Sequence, residues 1–233
     1  MACAAETYAD ELDHLRYLLD KYALPASVCI KLIHIHFYLS KGEILAVREF
    51  SAPPHGHIPF LAPMTPDATT KVYGCHYLVD AAGDLQTFEY TTAEGGVDLA
   101  AYPEFVAEFC KAVVQRGMQH TFGLVIKSGA AEDGSWLELD YPGKRATFLL
   151  PGYVSLPQSD RLVQRKTKAV FPSPKNEKES VTHARTEHTH GSDYGEDPMP
   201  DGVSTKNGLF LTGVPLDPGS DFYTVVSALS AAA

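Results

Sequence analysis

Apolar residues recur at steps of three and four along two stretches of the chain, which predicts two amphipathic helices. In the first stretch, from about 5 to 22, the recurring residues are Tyr8, Leu12, Leu15, Leu19 and Tyr22. This spacing puts them on one helical face, and Pro25 prevents continuation of the helix. The second helix is predicted from about 103 to 116, because Pro103 suits a first turn and Gly117 suits a C-terminal cap. Its buried stripe is Phe105, Phe109, Ala112 and Val113.

Seven further segments have the apolar content and flanking turn residues of strands. They are 28–39, 44–50, 72–79, 85–91, 122–127, 136–141 and 145–150. The first two flank SKGE, the next two flank DAAGD with Gly83 in a left-handed position, and the last two flank PGK. Since hairpins dominate and no βαβ alternation occurs, the pattern predicts a two-layer α+β domain. We expect a mainly antiparallel sheet of about six to seven strands, covered by the two helices on one face.

The polar composition changes near residue 157, and this change predicts a domain boundary. Residues 161–185 carry seven bases and two acids, whereas 186–221 carry one base and seven acids. Few apolar side chains offset the entropy of ordering between 173 and 202, so we expect a compact domain over 1–156 and a disordered, charge-segregated tail over 157–207. Residues 208–233 form an apolar C-terminal motif. It either docks on its own domain or binds a protein partner.

Charge and composition restrict the partners and the location of the protein. The formal net charge is −10, from 29 acids against 19 bases, which argues against a general nucleic-acid binder and against anionic membrane surfaces. The acidic N-terminal segment lacks the charged and apolar regions of a signal peptide, and we therefore expect a cytoplasmic or nuclear protein. Its four cysteines form no CxxC motif and are expected to be free thiols.

A concentration of histidines between 34 and 76 suggests a metal site. His34 and His36 share one strand face, and a four-residue SKGE loop would place His34 opposite Glu49. Two imidazoles and a carboxylate are suited to Zn, Fe or Mn. Further ligands or proton carriers would come from the remaining histidines of the region, namely His55, His57 and His76.

A register slip of one residue would pair His34 with Phe50 and dissolve this constellation, leaving the histidines on the wetter face of a sheet. No GxSxG, P-loop, GxGxxG or HExxH motif is present, so the sequence leaves open whether the protein is an enzyme. Three functions are compatible with these features. The first is a binding or adaptor protein that contacts a protein partner through the tail or the C-terminal motif. The second is a metal-dependent enzyme, and the third is a small-molecule or lipid binder with a pocket between sheet and helices.

Overall fold

Within the part of the chain that the structure describes, ten strands form a closed barrel, and helices pack against part of its outer wall. A computed structural model describes residues 4–33, 38–53, 56–127, 135–141, 145–151, 162–179 and 181–188, together with positions 223, 224 and 228. No helix in these ranges is both long enough and apolar enough to cross a membrane. The α+β class predicted from the sequence is confirmed.

Both predicted helices form. The first consists of a short α1, Ala4–Thr7, followed by α2, Ala9–Lys21, and the second is α3, Pro103–Gln115. Pro103 occupies the first turn of α3, as predicted, and Gly117 follows its C-terminus with φ +66°. Two 3₁₀ segments, Leu99–Ala101 and Pro174–Glu179, also lie within the described residues.

Ten strands make up the barrel in the described part of the chain. In chain order they are β1 Val28–Leu32, β2 Ile44–Ser51, β3 His57–Met64, β4 Tyr73–Val79, β5 Leu85–Thr91, β6 Phe122–Ile126, β7 Ser135–Tyr141, β8 Ala146–Pro151, β9 Leu162–Phe171 and β10 Val181–His188. Their order around the barrel is β1, β6, β4, β5, β2, β3, β8, β7, β10, β9, and β9 closes the circle on β1. Two neighbour pairs, β2 with β5 and β7 with β10, are parallel. The sheet is therefore mixed and closed, whereas the sequence predicted a layer with fewer strands.

The two faces of β1 border different surroundings. Val28, Ile30 and Leu32 belong to the main core, which also contains the apolar stripes of α2 and α3 and the matching face of β6. Cys29, on the opposite face, packs with Val125 and Val170, and Leu149 of β8 joins them from another part of the barrel wall. Since side chains alternate along a strand, the helices cover the outer face of this wall while Cys29 and Lys31 point toward the barrel interior.

Two of the predicted hairpins are confirmed. β4 pairs antiparallel with β5, and Gly83 in their connection has φ +90°. β7 pairs antiparallel with β8. The predicted hairpin between 28–39 and 44–50 is wrong, because β1 pairs with β6 and β9 while β2 pairs with β3 and β5. The segment HIPFLAPM, which contains two prolines and was not among the predicted strands, forms β3 and pairs with β2.

The predicted disordered tail also needs correction. Residues 162–171 and 181–188, within the predicted range 157–207, form β9 and β10, which pair with each other along eight residues of β10. A strand that completes a closed sheet obtains its backbone hydrogen bonds from both neighbours, so low apolar content alone does not exclude it. The C-terminal end of β9 anchors this part of the chain, because Ala169, Val170 and Phe171 are buried there. Of the C-terminal motif at 208–233, the structure describes only Tyr223, Thr224 and Ala228, which are helical.

Candidate functional site

The residues of the predicted metal site do not form a common cluster in the described structure. Glu49 is exposed on β2 opposite Pro59, and His57 is exposed at the start of β3 opposite Ser51. His34, His36 and His55 lie outside the described residues. Within the described ranges no group of three or more His, Cys, Asp or Glu side chains is arranged to hold a metal ion. The proposed hairpin register between His34 and Glu49 loses its basis, and a Zn, Fe or Mn site stays a prediction.

His76 belongs to a different cluster, a buried one formed with Lys31 of β1 and Glu89 of β5. The Nζ atom of Lys31 lies 3.0 Å from Nδ1 and 3.1 Å from Nε2 of His76, and 3.6 Å from Oε2 of Glu89. Nδ1 of His76 also forms a short hydrogen bond with Oε2 of Glu89. The side chains are 5% exposed for Lys31, 9% for His76 and fully buried for Glu89. We call these three residues the buried triad.

One protonation pattern gives each ring nitrogen of His76 a hydrogen-bond partner within the buried triad. If His76 is neutral, its Nδ1–H donates to the Glu89 carboxylate and its Nε2 accepts from the Lys31 ammonium. The cluster then contains one positive and one negative charge, which is the balance that a buried ion pair requires. The arrangement can therefore join three barrel strands through charged hydrogen bonds.

Sequence reasoning missed Lys31 and Glu89, although both left a signal. Lys31 stands within the otherwise apolar run VCIKLI, where a solvated lysine would interrupt the buried face of a strand. Such a residue requires a buried partner. Glu89 carried a weaker signal, since its position in the alternating segment TFEY also suits an exposed site.

A groove lies on the outer wall of the barrel, between α3 and the β4–β5 hairpin. Its volume is about 730 Å³, and one end is bounded by the 3₁₀ segment Leu99–Ala101. The apolar lining residues include Leu85, Leu99, Val106, Ala107, Cys110 and Val114. The α3 side of the groove contributes most of this lining, with Val106, Ala107, Cys110 and Val114 at helical spacing. We call this site the α3 groove.

Acidic side chains dominate the charge of the α3 groove. Asp84, Asp98 and Lys111 line it. Asp98 accepts a hydrogen bond from the backbone N–H of Ala100 through one carboxylate oxygen, over 2.9 Å. Burial raises the pKa of the Cys110 thiol to about 11, and the carboxylates of Asp84 and Asp80 add to that rise. Burial likewise raises the pKa of the Tyr77 phenol, with a contribution from Asp98.

Comparisons with protein-family models, with curated proteins and with solved structures find no match for this chain.

Proposed function

We propose that this protein is a non-catalytic binding protein and that the α3 groove takes its ligand. The observation that carries the proposal is the groove itself: about 730 Å³ of open space between sheet and helix, lined mainly by apolar side chains with a few charged groups. Ligand sites for small molecules usually have this volume and composition. Of the three functions that the sequence left open, a small-molecule binder with a pocket between sheet and helices is the one that this groove supports.

The buried triad is less suited to a ligand than the α3 groove. Its three side chains are at most 9% exposed, and their charges already compensate each other. A ligand would have to break charge-assisted hydrogen bonds in the interior to reach them. In contrast, Ala107 and Val114 are exposed at the groove, so a ligand can reach this apolar surface without opening the fold.

The buried face of α3 explains why this wall of the groove is stable. Phe105, Phe109 and Val113 are fully buried on the face of α3 opposite to the solvent, whereas Val106 and Cys110 lie at the edge of that face. The buried stripe thus holds α3 against the rest of the domain, while the neighbouring stripe lines the groove. A preformed wall lowers the ordering cost of binding.

The experiment is a titration with n-octanol, an uncharged probe with an apolar chain, followed by ¹⁵N NMR. A molecule of about nine heavy atoms is expected to bind with roughly millimolar affinity. The shifts should concentrate on the backbone amides of α3 and of the β4–β5 hairpin. Ala107→Trp should fill the exposed part of the groove and weaken octanol binding by about tenfold, which corresponds to ~1.4 kcal/mol.

Ala68→Trp is the matched control, because Ala68 is also exposed but does not line the groove. It should leave octanol binding unchanged. Shifts spread over the whole barrel, or equal weakening by both tryptophans, would refute the proposed function.

A further inference from the structure

The charges of the α3 groove come from separate elements that meet at one apolar surface. Asp84 precedes β5, Asp98 precedes the 3₁₀ segment, and Lys111 lies on α3. All three are exposed. Their formal sum is −1, and Asp80, at the other end of the same turn as Asp84, adds a further negative charge close to Cys110.

The electrostatic influence of these carboxylates extends into the groove. Asp84 and Asp80 both act on the Cys110 thiol, and Asp98 acts on the Tyr77 phenol, although burial is the larger cause in each case. Cys110 and Tyr77 line the groove from opposite walls, one on α3 and one on β4. The carboxylates therefore lie close enough to the apolar surface to act on a group in each wall.

Asp80 and Asp98 each use one carboxylate oxygen for hydrogen bonds to the backbone. Oδ1 of Asp80 accepts from the N–H groups of Ala82 and Asp84, over 2.9 and 3.0 Å, and Asp80 does not line the groove. Asp98 uses one oxygen for Ala100, so its second oxygen can accept from a ligand. Asp84 enters the turn through its backbone and presents its carboxylate at the groove.

We infer that the α3 groove selects amphiphilic amines: molecules with an apolar chain that packs on α3 and a protonated amine that contacts Asp84 and Asp98. This inference rests on the proposed function and names the ligand class for the same groove. An ammonium donates hydrogen bonds to both carboxylates, while the chain covers Val106, Ala107 and Cys110. A carboxylate at the same end of the ligand would be repelled.

The test compares three probes with the same chain, n-octylamine, n-octanol and n-octanoate, by ¹⁵N NMR titration at pH 7 and low salt. Octylamine should bind roughly two- to fivefold more tightly than octanol for each exposed carboxylate that it contacts. Octanoate should bind more weakly than octanol. The preference for octylamine should fall in about 1 M NaCl, where screening acts over ~3 Å.

Two charge variants of opposite sign make the test specific. Asp84→Asn should weaken octylamine binding roughly two- to fivefold, and Lys111→Gln should strengthen it by a similar factor. Neither variant should change octanol binding, because octanol has no charge. Asp10→Asn, on α2 and outside the groove, is the control and should change neither probe.

The outcomes separate the two proposals. If octanol binds at the groove but octylamine binds no better, or if octanoate is preferred, the amine inference is overturned and the binding function stands. If none of the probes shifts α3 and the β4–β5 hairpin, the proposed function itself is overturned. If Asp84→Asn leaves octylamine binding intact while Lys111→Gln weakens it, the assigned charge complementarity is wrong.

Discussion

Gly123 lies directly opposite Lys31 in the antiparallel pairing of β1 with β6. β6 separates β1 from β4, the strand that carries His76. Because glycine has no side chain, the route of the lysine side chain across β6 to His76 stays clear. A Cβ atom added at position 123 would overlap with the carbonyl oxygen of Tyr77 on β4. The glycine thus permits both the approach of two strands and the formation of the buried triad.

We predict that Gly123→Ala lowers the free energy of unfolding by about 2 kcal/mol or more. The obstacle is a backbone atom of the neighbouring strand, which can move only together with the β4–β6 pairing. Urea unfolding followed by circular dichroism measures this change.

Gly74→Ala is the matched comparison. Its Cβ would meet the hydroxyl of Tyr77 at 2.5 Å, which lies at the far end of a movable side chain. We expect a smaller loss of stability than for Gly123→Ala. A larger loss for Gly74→Ala would show that the backbone contact at Gly123 does not limit the fold.

The buried triad predicts strong coupling between Lys31 and Glu89. Lys31→Met or Glu89→Gln alone should each destabilise the protein by about 3–5 kcal/mol, because each leaves an uncompensated charge in the interior. The double variant should lose less than the sum of the single losses, since it removes both charges. A double-mutant cycle by urea unfolding measures the coupling.

Strictly additive losses, or single losses below about 1 kcal/mol, would show that the two charges do not compensate each other. Lys111→Met on the exposed side of α3 controls for the removal of a lysine as such. It should change the stability by less than about 0.5 kcal/mol.

Local sequence patterns predicted much of the fold, but they could not predict which strands distant in the chain pair with each other. The apolar spacing of α2 and α3 and the turn residues between β4 and β5 act within a few positions, so they could be read directly. The pairing of β1 with β6 joins Lys31 to Gly123, about ninety positions apart, and no local signal encodes it. The polar β9 and β10 were missed because closure of the barrel, rather than their own composition, stabilises them.

A pocket between sheet and helices was only one of three functional alternatives, and none of the residues that line the α3 groove was predicted as a site residue. Its acidic residues, Asp84 and Asp98, lie in turns and caps. Such positions are usually assigned to turn formation, and both residues also act in that way. The role of His76 depended on strand order, which brings Lys31 and Glu89 to it from two other strands.

The C-terminal ends of α2 and α3 predict two substitutions with opposite effects on the stability of the protein. Both helices end in the same backbone motif: the N–H of Leu24 donates to the carbonyl of Leu19, and that of Met118 donates to Val113. The residue in the left-handed position is Ala23, φ +51°, after α2 and Gly117, φ +66°, after α3. Glycine adopts this conformation without steric cost, whereas alanine does not.

Ala23→Gly should therefore stabilise the protein by about 0.5–1 kcal/mol, and Gly117→Ala should destabilise it by about the same amount. Thermal unfolding of the two variants beside the parent measures both changes. Changes of equal sign would show that the left-handed conformation does not determine the stability of these helix ends.

Cys110 provides a chemical readout of the α3 groove. Burial and the carboxylates of Asp84 and Asp80 raise the pKa of its thiol to about 11, so very little reactive thiolate is present at pH 8. The rate of alkylation by iodoacetamide at Cys110, measured by peptide mass spectrometry, should be low at pH 8 and should continue to rise up to about pH 11. Asp84→Asn should lower the pKa and raise the rate at pH 8–9, because one of the opposing charges is removed. Asp10→Asn should leave the rate unchanged. A rate that reaches its plateau by pH 9 in the parent would show that the thiolate is not disfavoured in the groove.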